Sequence, residues 1–146
     1  MNTDSSAEHK GTILCVEDDK DVLRVLGIML ESHGYEALLA RDGEEGLNMF
    51  RQHKRDLVAV VLDLKMPKMD GLAAAREIRK ESPDIPLVAL SAYFGASHNE
   101  EALARCEEAG FNAYTIKPFA IEPFLKTIEG FIRRKAPKND KPQSET

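Results

Sequence analysis

Short apolar runs punctuate the chain at fairly regular intervals. "TILCV" (12–16), "DLVAVVL" (56–62) and "IPLVAL" (85–90) are rich in Val, Ile and Leu. Runs of this length without polar alternation suit strands covered on both faces, as in a parallel sheet. "YEALLA" (35–40) and "NAYTI" (112–116) are shorter or more mixed, the composition expected of strands at a sheet edge.

Between the runs the period lengthens. Val22, Val25, Leu26 and Met29 form a stripe at helical spacing that ends near His33-Gly34, where glycine suits a helix C-terminus. Asp42-Gly43-Glu44-Glu45 reads as a capping box opening a helix to about His53. A third helix is predicted from about Gly71 to Lys80, stopped by Ser82-Pro83, and a fourth from near Asn99 to Gly110. In the last, Ile121, Phe124, Leu125, Ile128, Phe131 and Ile132 share one face, and Pro123 is tolerated in the first turn. Five strands alternating with five helices imply right-handed crossovers. The fold class is α/β: a doubly wound five-stranded parallel sheet with helices on both faces.

Composition narrows the classes. A chain of 146 residues has room for one domain with a real core. Its net charge of -5 argues against a broad nucleic-acid-binding surface. No apolar run approaches the roughly 18 residues needed to span a bilayer. The opening "MNTDSSAEHK" lacks the apolar core of a signal peptide, so a cytoplasmic location is expected. Cys15 and Cys106 fit no metal spacing and read as small buried hydrophobes in a reducing compartment. His9, His33, His53 and His98 have no partner at ligand spacing. Residues 1–10 and 134–146 read as disordered polar tails flanking a domain at 11–133.

The candidate chemistry lies at the ends of the strands. In doubly wound sheets, ligands bind outside the carboxyl ends of the strands, at the topological switch point. Glu17, Asp18 and Asp19 follow the first run, Asp63 the third, Ser91 the fourth and Lys117-Pro118 the fifth. Singly, each has a structural reading: Asp18, Asp19 or Asp21 caps the first helix, Asp63 caps a turn, Ser91 ends a strand and Lys117 is solvated. Gathered carboxylates repel one another and call for a cation. Hard oxygen donors with open positions suit Mg²⁺. A carboxylate can be a nucleophile toward phosphorus, with a metal and a fixed Lys stabilising the transferring oxygens. A hydroxyl that bonds the phosphoryl group only after its arrival is the material of a switch.

In this order, "ILCVEDDKDVL", "VVLDLKMPKMDG", "VALSAY" and "AYTIKPF" resemble the four signature regions of response-regulator receiver domains of two-component signalling, over about residues 11–133. The resemblance implies the flavodoxin-like strand order 2-1-3-4-5. It makes Asp63 the phospho-acceptor and a Mg²⁺ ligand, beside Asp18 and the Lys65 backbone carbonyl, with Glu17 acting through the metal's water shell. Lys117 would contact the phosphoryl group, Ser91 would be the switch hydroxyl, and Tyr114 the aromatic that turns inward with it. Pro67 and Gly71 would shape the following loop, and Lys65 and Tyr93 stand at the family's rate-tuning positions. Members commonly have a cis bond before the proline corresponding to Pro118. Three departures stand out: Glu17 where Asp is commoner, Ser91 where Thr is commoner, and a longer segment 93–110 with an extended loop around 94–98.

The implied function is a signalling switch rather than a metabolic enzyme, although it catalyses its own Asp phosphorylation and dephosphorylation. Its donor would be a histidine kinase or a phosphotransfer protein. Its output would pass to a protein partner through the fourth helix, fifth strand and fifth helix, without direct nucleic-acid binding or membrane insertion. The methionine start and the polar tails favour a stand-alone, chemotaxis-regulator-like protein over a receiver from a hybrid kinase or larger regulator. A phosphohydrolase of the haloacid-dehalogenase type would want a second Asp where Lys65 stands, and a cap domain. A flavin module would need a phosphate-cradling loop where Glu17-Asp18-Asp19 would repel phosphate.

Overall fold

Burial follows the apolar runs closely: all five residues of β1 (Thr12–Val16) and six of seven in β3 (Leu57–Asp63) are buried. The computed structural model describes residues 9–64, 70–91, 99–116 and 120–135. The other strands are β2 (Glu36–Ala40), β4 (Leu87–Ser91) and β5 (Ala113–Ile116). All pair in parallel in the order β2-β1-β3-β4-β5. The mixed runs indeed take the edges, and β2 leaves Glu36 and Leu39 exposed.

Five helices cover the sheet: α1 (Lys20–Ser32), α2 (Gly43–His53), α3 (Gly71–Glu81), α4 (Asn99–Ala109) and α5 (Ile121–Lys135). Strand alternation splits the interior into two cores. Ile13, Cys15, Val61 and Leu90 face α1 and α5, where Leu26, Leu30, Phe124 and Ile128 complete the packing. Leu14, Val16, Leu62 and Ala89 face α2, α3 and α4, meeting Phe50, Ile78 and Cys106. Truncating a fully buried residue such as Ile78 to Ala should cost about 2–5 kcal/mol.

The expected stripe on α1 needs one correction. Val25 is 52% exposed, and the buried residues are Leu23, Leu26, Gly27, Met29 and Leu30. A helix lying across a sheet buries the i, i+3, i+4, i+7 set centred on the sheet, and Val25 falls on the far flank. Ile121, expected on the apolar face of α5, is 41% exposed in the first turn.

The ends of the helices are set locally. The α1 chain reverses at Gly34, whose φ of 95° favours glycine, and Tyr35 N–H donates to the Leu30 carbonyl at 3.1 Å. Asp42 Oδ1 accepts from Glu45 N–H at 2.8 Å, as a capping box requires. The reciprocal bond reaches one residue further back, to Arg41 N–H rather than Asp42 N–H.

Residues 1–8 and 136–146, most of the expected tails, lie outside the described residues. Lys10 N–H donates to the Gly34 carbonyl at 2.8 Å, and α5 extends to Lys135. Among the described residues, no helix is long and apolar enough to cross a membrane.

Candidate functional site

The two central strands bring the acids together. Val16 pairs with Leu62 across β1 and β3, so Glu17 and Asp63 stand side by side one step further on. The ladders continue past them: Glu17 N–H donates to the Ala40 carbonyl and Leu64 N–H to the Leu90 carbonyl, each at 3.0 Å. Such bonds fix the backbone at the point where the side chains must converge. Glu17 is wholly buried, Asp63 is 4% exposed and Asp18 is exposed. One oxygen from each carboxylate lies within 4.8 Å of the other two, and among the described residues no other group of three or more potential metal ligands gathers this way.

Which of the early acids caps α1 is now settled. Asp19 does, its Oδ1 accepting from Asp21 N–H at 2.9 Å and Val22 N–H at 3.2 Å. Glu17 Oε2 accepts from Asp19 N–H at 2.9 Å. The turn is thereby held from both sides, and Asp18 belongs to the cluster rather than to the cap. On the β3 side, Asp70 caps α3 by accepting from Ala73 N–H at 2.9 Å, and Gly71 N–H donates to the Leu64 carbonyl at 3.0 Å.

The remaining expected site residues divide. Tyr114 lies on β5, partly buried against the core shared with α2, α3 and α4, and pairs in register with Ala89. Ser91 ends β4 in register with Ile116, but its side chain lies outside the described residues. Lys65, Pro67, Tyr93, Lys117, Pro118, the loop at 94–98 and His98 also lie outside them.

Both cysteines are buried free thiols. Burial pushes the Cys15 thiol up to about 12, and burial, then the neighbouring Glu107 charge, raises that of Cys106. Neither is a thiolate nucleophile at neutral pH. His33 sits at the end of α1 with Nδ1 2.9 Å from the Met29 carbonyl, and His9 lies 3.7 Å from Glu36.

Sequence reasoning missed Arg79. From α3 its guanidinium donates to the carbonyls of Ile85 at 2.8 Å, Ser82 and Pro83 at 3.0 Å, and Gly110 at 2.6 Å. It also reaches Asn112 Oδ1 at 3.2 Å, the same oxygen that accepts from Leu87 N–H at 2.8 Å. Its partners are mostly backbone, which carries no residue signature; this cluster ties together the entrances of β4 and β5.

The mouth offers three oxygen donors, two of them buried, a set that suits a hard divalent cation. Known proteins place the chain independently. Residues 13–129 match the family described as "Response regulator receiver domain". The chain is 38% identical over 128 residues to "Response regulator MprA" of Mycobacterium avium (strain 104), spanning 88% of this chain and 54% of that protein. It thus spans about half the length of the curated relatives it matches. Among solved structures it is similar to a response regulator receiver domain protein from Clostridium thermocellum, with 30% identity, a TM-score of 0.77 and coverage of 86% of this chain and 96% of that one. A CheY-like receiver domain protein from Methanospirillum hungatei JF-1 shows 26% identity and a TM-score of 0.76, over 86% and 95% of the two chains. A sheet ordered β2-β1-β3-β4-β5 with acids at its central switch point agrees with these matches, and the chain belongs to the response regulator receiver domain family of two-component systems.

Proposed function

We propose that the chain is a phosphorylation switch in which Asp63 is the phospho-acceptor. The observation that carries this reading is the convergence of Glu17, Asp18 and Asp63 at the ends of adjacent central strands. An Asp63 carboxylate oxygen attacks the phosphorus of a phosphohistidine on a histidine kinase or phosphotransfer protein. The new O–P bond forms as the N–P bond breaks, and the imidazole leaves.

The donor set fits Mg²⁺: Asp18, Asp63 and the Lys65 backbone carbonyl would hold it, with Glu17 in the water shell. When bound, the cation would offset charge on the transferring phosphoryl oxygens. Glu17 also orders the Asp18–Asp19 turn through its bond to Asp19 N–H, so it orients a ligand as well as adding charge. Lys117 would neutralise a phosphoryl oxygen, and Ser91 would donate to another. The Ser91 contact, with Tyr114 following inward, would shift a pre-existing equilibrium toward the signalling form. Output would pass by protein contact over α4, β5 and α5; the net charge of -5 favours a protein partner over nucleic acid.

Intact-mass analysis after incubation with Mg²⁺ and acetyl phosphate tests the assignment, with wild type and Asp63→Asn side by side. One phosphoryl adduct on wild type alone is expected, with both proteins equally folded by circular dichroism. An equal adduct on Asp63→Asn would move the acceptor to another residue. Absence of an adduct together with no binding of beryllofluoride would remove the switch reading altogether.

A further inference from the structure

Gly71 opens α3, is buried, and leaves no space at its Cα. A Cβ placed there would meet the Asp63 carbonyl oxygen, and would lie 2.8 Å from the Leu64 Cα and 3.0 Å from the Asp63 carbonyl carbon. These are backbone atoms of the strand tip, which cannot rotate away as the end of a side chain can. Two other helical glycines calibrate the point. At Gly46 the crowding is against the Val16 side chain, at 2.7 Å, and at Gly130 nothing lies within 4 Å.

We propose that Gly71 is a positioning residue for phosphoryl acceptance: the bare first turn of α3 closes on the tip of β3 and fixes where the Asp63 carboxylate stands relative to Glu17 and Asp18. The inference rests on Asp63 being the acceptor. The turn is held against the strand by the Gly71 N–H bond to the Leu64 carbonyl and by the Asp70 cap. Alanine is the better helix former, so propensity alone predicts that Gly71→Ala would be harmless or stabilising. Positioning predicts the opposite for function, since a shift of about 1 Å at a reacting group can cost ~100-fold in rate.

The test compares wild type, Gly71→Ala and Gly130→Ala. Calorimetric titration with Mg²⁺ alone reads the ligand geometry, and acetyl phosphate incorporation at saturating Mg²⁺ reads the acceptor. Gly71→Ala should lose at least about tenfold in both while Gly130→Ala stays within about twofold of wild type, as expected when only the former displaces the strand tip. Should Gly71→Ala fail to fold, the cap variants Asp70→Ala and Asp42→Ala replace it. Each removes one N-cap bond, from α3 and α2 respectively, yet only the first loosens the turn that braces Asp63. A selective loss in Asp70→Ala supports the proposal. Wild-type Mg²⁺ affinity in a folded Gly71→Ala, or equal behaviour of the two cap variants, overturns it. Failure of wild type itself to accept a phosphoryl group would strike the acceptor reading instead, and the Mg²⁺ titrations would still judge the brace.

Discussion

Two polar clusters sit at opposite ends of the same sheet, and they are built on opposite plans. At the amino-terminal ends of β4 and β5, Arg79 is one cation surrounded by backbone carbonyls and the Asn112 side chain. At the carboxyl ends of β1 and β3, three carboxylates crowd within 4.8 Å. The first cluster is complete: its charge is delocalised over a planar fork and its donors are matched to acceptors. The second gathers three carboxylates in a largely buried place, where like charges repel one another and a cation would be favoured. Both are polar and partly buried, but one gathers acceptors around a single cation and the other gathers acids whose chemistry suits a hard cation.

The largest expected effect of a substitution lies at the structural end. Arg79→Ala should cost about 2 kcal/mol in urea unfolding, because several partly buried carbonyls lose a charged donor. Arg79→Lys should restore only part of this, since an ammonium cannot span the same fork of acceptors. A loss below about 0.5 kcal/mol would reduce Arg79 to the worth of a surface contact.

Next comes the cation. Raising Mg²⁺ to 100 times its dissociation constant should stabilise wild type by about 2.7 kcal/mol, and Asp18→Asn should blunt that gain. Without divalent ions the sign reverses for acid removal: Asp63→Asn should be more stable than wild type by about 1 kcal/mol in EDTA, because it relieves repulsion. A destabilised Asp63→Asn under those conditions would show that the mouth is internally balanced, as the Arg79 cluster is.

The smallest effect concerns Glu81, an acid already supplied with cations. Arg51, then Lys54, hold its carboxyl below the usual range, at 2.7 Å and 3.2 Å. Because the folded-state pKa is depressed, the stabilisation is present above the unfolded value and lost as pH falls through the folded one. Glu81→Gln should therefore be slightly less stable than wild type at neutral pH and indistinguishable in acid, by thermal unfolding at both.

The acidic mouth was more legible in the sequence than the Arg79 cluster for a physical reason. Strands covered on both faces must be apolar, so Glu17 and Asp63 at their tips interrupt the pattern visibly. Helix and strand order followed from the same periodicity. The choice of cap among Asp18, Asp19 and Asp21 was not legible, since it depends on the extended backbone of Asp19, with φ -81° and ψ 115°. Nor was the far flank of α1, where Val25 fits the spacing but not the face. Arg79 gave no signal because neighbouring arginines share its composition and only the fold supplies its carbonyls.

The parallel register has a consequence for when the acidic cluster can exist. Glu17 follows β1 and Asp63 ends β3, with α1, β2 and α2 between them in the chain, and they meet through the pairing of β1 with β3. Neither half of that stretch contains all three acids, so an unfinished or mispaired chain cannot bring Glu17, Asp18 and Asp63 together. Because forming so non-local a contact means closing a long loop, it belongs to the slow part of folding. The acidic cluster is thus tied to completed topology, and it comes into being only once the central crossover has closed.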